Sequence, residues 1–212
     1  MGKVSTIAEM DLAGGAACLD FVNTVLNDEL LVERLHSYTD LLTLIQRLSL
    51  LDTDTLAALK RLAEQDSQQA ERVLLEARTV RQSMLTLLSA LVKGELPQAT
   101  AQVLASFNGH IKEALGKRGF SAQGAKLELS WERPEKELMQ AVWVFSLSAY
   151  ELLTTKDQRL IKQCDACAWF FLDETKNHRR KWCDMQTCGT KQKARRYYQR
   201  QKQGSFSTAI SE

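Results

Sequence analysis

Proline and glycine are scarce, with two and ten copies in 212 residues. That leaves little material for long linkers or for the turns of an all-β fold. No apolar run approaches the roughly 18 residues needed to cross a bilayer, so no membrane partner is expected. The opening "MGKVSTIAEMDLAGG" lacks the apolar stretch of a secretory signal. The expected compartment is therefore the cytoplasm, where thiols stay reduced. Catalytic signals are missing as well. His36, His110 and His178 are scattered singly, and there is no Gly-rich phosphate loop, nucleophile elbow or His-Glu metal helix. With no nucleophile–base or acid–base pair in view, the sequence does not read as an enzyme.

What is present is an ordinary composition, 44% hydrophobic and 25% charged, on a chain long enough for one domain and a small module. The net charge of +2 hides a split. Residues 1–155 sum to −5, whereas residues 156–203 carry 13 Lys/Arg against 5 Asp/Glu, a balance of +8. Such asymmetry suggests that the basic part meets a polyanion. The alternative is a basic module docked on its own acidic body.

The acidic part reads as helical. "ERLHSYTDLLTLIQRLSLL" spaces Leu35, Tyr38, Leu41, Leu42, Ile45 and Leu48 by three and four, and Leu56, Leu59 and Leu62 follow an Asp/Thr cap region. A long helix is expected from Ser67 to Lys93, ended by Gly94. Pro97 suits the start of the next, with Val103, Phe107, Ile111 and Leu115 on its buried side. "AKLELSWE" alternates Leu127, Leu129 and Trp131 and reads as a short strand after a turn-like "GFSAQGA". Pro134 can open a last helix through Leu152. One polar interruption stands out in "GGAACLDFVNTV": Asp20 and Asn23 sit inside an apolar run. Buried, they need hydrogen-bond partners. They either cross-link neighbouring elements or line a ligand pocket for a small-molecule or protein effector. Cys18, in the same stretch, reads as a small buried hydrophobe.

Four further cysteines fall in the last quarter: Cys164, Cys167, Cys183 and Cys188, spaced C-x2-C, fifteen residues, C-x4-C. Two short-range thiol pairs joined by a modest loop are what one tetrahedral Zn(II) per chain requires. The metal also accounts for folding in a segment too short for a core of its own. Between the pairs, "AWFFLDETKNHRRKW" fits a hairpin with Trp169 and Phe171 on one face, Phe170 and Leu172 on the other, and Trp182 on the return strand. The second pair opens a final helix, Cys188 in its first turn and Gly189 allowing close approach. The expected fold is mainly α: a helical domain over 1–155 with a short β segment, a treble-clef-like four-cysteine finger over 156–203, and a disordered tail over 204–212. Four thiolates close the coordination sphere, which argues against catalytic zinc. An all-thiolate site can also serve as a redox sensor that loses its metal.

The final helix carries Lys191, Lys193, Arg195, Arg196, Arg200 and Lys202, and Arg179, Arg180 and Lys181 add a second basic cluster. Phosphate neutralisation by these side chains makes a nucleic acid the expected partner. A solvated basic face, or a docking face for an acidic protein, is the alternative. Tyr197 and Tyr198 are expected to pack one ring inward and leave the other against a nucleic-acid backbone.

The segment "QCDACAWFFLDETKNHRRKWCDMQTCGTKQKARRYYQR" resembles the CGNR-type zinc finger, and "GGAACLDFVNTV" with "ERLHSYTDLL" resembles the ABATE domain that precedes this finger in many bacterial proteins. The resemblance implies a stress-responsive transcriptional regulator that binds DNA through its finger, with Cys164, Cys167, Cys183 and Cys188 as zinc ligands. The namesake tetrad departs here: Cys188-Gly189 is kept, but Thr190 and Lys191 stand where Asn and Arg are usual. Lysine keeps the charge without arginine's bidentate fork, and Thr190 can still cap the helix. The operator, the oligomeric state and the sign of regulation are not written in the sequence.

Overall fold

The structure, a computed structural model, describes residues 5–27, 30–96, 101–131 and 137–195. Pro97, Pro134, Arg196, Tyr197, Tyr198, Arg200, Lys202 and the tail lie outside the described residues. No helix in the described part is long and apolar enough to cross a membrane.

The body is helical, as its periodicity indicates. A short helix α1 (Ala17–Asn23) is buried from Cys18 onward and leads into two two-residue strands, β1 (Leu26–Asn27) and β2 (Leu30–Leu31). Helix α2 (Tyr38–Arg47) begins later than the apolar stripe suggests, because Ser37 and Asp40 close a capping box ahead of Tyr38. Leu35 is buried just before it. Helix α3 (Thr53–Gln65) is capped by Asp52, and the 27-residue α4 (Ser67–Lys93) by Asp66 and, at its end, a left-handed Gly94. Helices α5 (Ala101–Gly116) and α6 (Gln140–Thr155) complete the body.

Two contacts centre it. Phe21 of α1 stacks on Phe145 of α6 with ring centroids 4.2 Å apart, and neither ring is exposed. Full burial of a side chain of this size contributes about 1.5–3 kcal/mol. Arg81 of α4, also buried, donates to Thr24 Oγ1 at 2.7 Å and forms an ion pair with Glu33. Burial works against the Glu33 charge, yet Arg81 and Arg78 hold its carboxyl below the usual range.

The segment expected as a turn, "GFSAQGA", is instead mostly strand. β3 (Arg118–Gln123) pairs antiparallel with β4 (Lys126–Trp131), and the reversal is confined to its end at Gly124. The alternation of Leu127, Leu129 and Trp131 is realised, but Phe120 and Leu127 are each 73% exposed. The hairpin is tied down at its base, where Trp131 stacks on Trp143 of α6 at 6.2 Å. Arg118 lies over Trp131 at 4.9 Å and Lys117 over Trp143 at 4.8 Å, so the stacked pair of rings carries a cation on each side.

Candidate metal centre

The cysteine pairs are brought together by a hairpin different from the one the sequence suggests. Strand β5 (Ile161–Gln163) lies ahead of the first pair and pairs antiparallel with β6 (Phe170–Leu172). The C-x2-C turn is therefore the tip of this hairpin. Cys164 N donates to Trp169 O at 2.8 Å, and Ala168, in the left-handed region at φ 61°, donates back to Cys164 O at 3.0 Å. The expected return strand at Trp182 does not form. The free edge of β6 is already taken: Phe170 N and O bond to the Asn23 side chain, and Leu172 N donates to Gly14 O. Trp169, Phe170, Phe171 and Leu172 are all buried, so the strand is covered on both faces rather than on one.

The second pair arrives along an irregular segment, fixed where Asp165 N donates to Lys181 O at 3.1 Å. Asp184 then caps the final helix, accepting from Thr187 N at 2.7 Å and Thr187 Oγ1 at 3.0 Å. Thr190 is thus not the cap; it lies inside the helix and donates its hydroxyl to Met185 O. The helix opens with a π-turn over Met185–Gly189, which carries Cys188, and continues as α-helix over 190–195. A side chain at Gly189 would begin 3.2 Å from Met185 Sδ and 3.5 Å from the Trp182 ring, so the turn rests closely on tryptophan.

The result is a cluster of four sulfurs within 4.8 Å of one another. Cys167 Sγ and Cys183 Sγ are 3.5 Å apart, and Cys183 Sγ and Cys188 Sγ 3.7 Å. A tetrahedral ion with metal–sulfur bonds of about 2.3 Å sets its sulfurs about 3.8 Å apart. A disulfide would need about 2.05 Å, and all five cysteines are free thiols. The electrostatics also call for a cation. Hydrogen bonding to Cys164 and Cys167, with burial and their charge, pushes the Cys183 thiol far above its ordinary value. Packed this closely, four thiols cannot ionise together unless a metal ion compensates the charge. The residues therefore fit one tetrahedral metal ion, and Ala166 N, 3.4 Å from Cys164 Sγ, supports the ligand shell from behind.

Two family models match the chain: the "CGNR zinc finger" over residues 160–201, and ABATE, described as "Putative stress-induced transcription regulator", over residues 15–156. The chain belongs to the ABATE family and carries a CGNR zinc finger. No curated protein matches it.

The CGNR finger is braced from within by Asp173, whose side chain is fully buried. It accepts from Lys162 Nζ at 2.6 Å, Thr175 Oγ1 at 2.6 Å and Arg180 N at 2.9 Å. Burial alone would raise its carboxyl; these donors hold it well below the usual carboxylate range. In the sequence Asp173 is marked only as the aspartate that closes the aromatic-Phe-Leu-Asp run of the finger motif. His178 bonds through Nδ1 to Asp173 O and stands outside the sulfur cluster.

The two N-terminal candidates lie at the seam between ABATE domain and finger. Asn23 is fully buried, and its amide meets both Phe170 N (2.8 Å) and Phe170 O (2.9 Å), imitating the backbone of a neighbouring strand. Asp20 accepts from Gly14 N at 2.8 Å. A Cβ at Gly14 would lie 2.8 Å from Asp20 N, and Gly15 has φ +77°, so both glycines are needed to bring Gly14 O to Leu172. Burial raises the Asp20 carboxyl to about 6. Cys18 is buried, and desolvation pushes its thiol up to about 12, which leaves it inert beside the ligand cysteines.

Of the basic candidates, Arg179, Lys181, Lys191, Lys193 and Arg195 are exposed. None forms an ion pair among the described residues. Arg180 differs from them: its Nε donates to Trp182 O at 2.7 Å and its guanidinium lies 5.0 Å from the Phe171 ring. Lys191 and Arg195 border a cavity of about 680 Å³ beside the sulfur cluster, which Cys167 also reaches.

Proposed function

We propose that the protein is a transcriptional regulator that holds one Zn(II) in Cys164, Cys167, Cys183 and Cys188 and binds DNA through the finger. Zinc would close the four thiolates, leaving no position for water, so its part is structural. The observation that carries the reading is the set of five exposed cations that form no ion pair among the described residues: Lys191, Lys193 and Arg195 on the last helix, and Arg179 and Lys181 ahead of Cys183. A favourable contact with the described part of the acidic body would pair them; exposed and without such a contact there, they suit phosphates. The N-terminus of the same helix is pinned by Asp184 and Cys188, which fixes the direction in which the cations are offered. Arg180 is assigned to the fold rather than to DNA.

Fluorescence anisotropy with a labelled duplex tests the reading. Binding should fall steeply with salt, and Lys191→Ala/Arg195→Ala should weaken it across all sequences and flatten the salt slope. Zinc-loaded protein that ignores duplex DNA at low salt would refute it. A thiol-sensor role has one observation in its favour: Cys167 alone of the four is not buried, and it borders the adjacent cavity together with Cys183 and Cys188. Metal release under mild peroxide, matched by loss of DNA binding, would add that role to the first.

A further inference from the structure

A second cavity, of about 370 Å³, lies where the ABATE domain meets the finger and is bounded by several parts of the fold. Helix α6 supplies Val144, Leu147 and Ser148, the base of the hairpin supplies Arg118 and Trp131, and β6 of the finger supplies Leu172. Its walls mix apolar and aromatic side chains with polar ones (Ser148, Glu151, Thr155 and Lys156), and among them one group stands out. Arg118 is half-buried and has no acidic partner among the described residues. Its Nη2 donates to Leu129 O at 2.9 Å, and its guanidinium lies over Trp131, but its buried Nε has no acceptor among the described residues.

A desolvated guanidinium costs free energy unless something satisfies it. Burial already draws its pKa below the ordinary arginine value, though an arginine stays charged. The other charges at the cavity leave the position open. Lys156 is paired with Glu174 at 2.7 Å. Glu151 is exposed on α6 and forms no ion pair with Arg118. We propose that this cavity binds a small organic acid, its carboxylate held by Arg118 and its apolar or aromatic body lying against Trp131, Val144 and Leu147. The planar fork of arginine suits a carboxylate, and apolar surface beside a few convergent polar groups is the usual form of a small-molecule site.

The position gives such a ligand a route to the finger. Leu172, which lines the cavity, is the residue whose N–H is held by Gly14 O at the seam. A ligand seated against it contacts both parts at once. As an effector site the cavity rests on the regulator reading above; as a binding site it does not.

Isothermal titration of the full zinc-loaded chain tests it, with benzoate, hexanoate and benzamide as probes at up to millimolar concentration. Benzoate should bind, and benzamide, of the same shape without the charge, should bind at least about tenfold more weakly. Hexanoate distinguishes an aromatic from an aliphatic preference, and binding of either acid supports the site. Arg118→Gln should lower benzoate affinity by about tenfold or more while leaving benzamide unchanged. Leu147→Trp, which fills the cavity without touching a charge, should abolish binding at an unaltered Tm. Absence of binding by both acids, equal affinity for benzoate and benzamide, or unchanged benzoate binding in Arg118→Gln would overturn the proposal. No DNA enters the titration, so its failure would leave the duplex-binding reading standing.

Discussion

Asn23 shows how much a single amide can decide. Its side chain occupies the two backbone groups of Phe170 that a third strand would otherwise use, and so ends the finger's sheet at two strands. Asn23→Ala strands a buried N–H and a buried C=O. Global stability should fall by about 2–4 kcal/mol, measured by urea denaturation. Asp20 gives a prediction with a sign. Its folded pKa, about 6, lies above the unfolded value of 3.8. The folded state therefore binds the extra proton between those values, and this residue's contribution to stability declines as pH rises from about 4 to about 6. Asp20→Asn, which keeps an acceptor for Gly14 N, should abolish that decline and stabilise the protein at pH 7 by up to about 2–3 kcal/mol. Thermal melts of both proteins at pH 4 and pH 7 would show it. A greater advantage for the variant at pH 4 would contradict the assignment.

Among the elements, the helices were legible because their apolar residues repeat at three and four and their ends carry Asp, Ser and Gly. The metal centre was legible because thiol spacing is a geometric constraint within a single segment. The strand pairings were not. β6 takes its partners from β5 and from Gly14 and Asn23, the last 147 residues away, and no local period encodes an edge satisfied from that distance. β3 was hidden because "GFSAQ" has turn composition and acquires strand geometry only by pairing with β4. The basic stretch divides in the same way. Arg179, Arg180 and Lys181 are indistinguishable in sequence, but among the described residues only the Arg180 side chain is bound into the finger, through Trp182 O and the Phe171 ring. Arg180→Ala should therefore lower Tm and destabilise the finger by about 1–3 kcal/mol. Arg195→Ala should leave Tm unchanged and weaken duplex binding. Differential scanning calorimetry and anisotropy on the two variants separate the roles. The reverse pattern would contradict the division.

In the molecule as a whole, finger and body share one continuous apolar core that includes Phe145 and Leu152 of α6 with Phe170, Phe171, Cys164 and Cys183 of the finger. The finger thus differs from a free-standing zinc module, whose fold is lost with its metal. Chelation should disorder the cysteine turns and the last helix while β5 and β6 stay on α1. Far-UV circular dichroism should lose only a small part of its helical signal, and Tm should fall without loss of cooperativity. Complete unfolding on chelation would mean that the shared core does not hold the body together. The most direct test of the central claim follows zinc and DNA in the same sample: stepwise chelation, with released metal measured by a chromogenic indicator and duplex binding by anisotropy. The account predicts one zinc per chain and loss of binding in proportion to its release, with recovery on re-addition. Persistent DNA binding after the zinc has gone would contradict it.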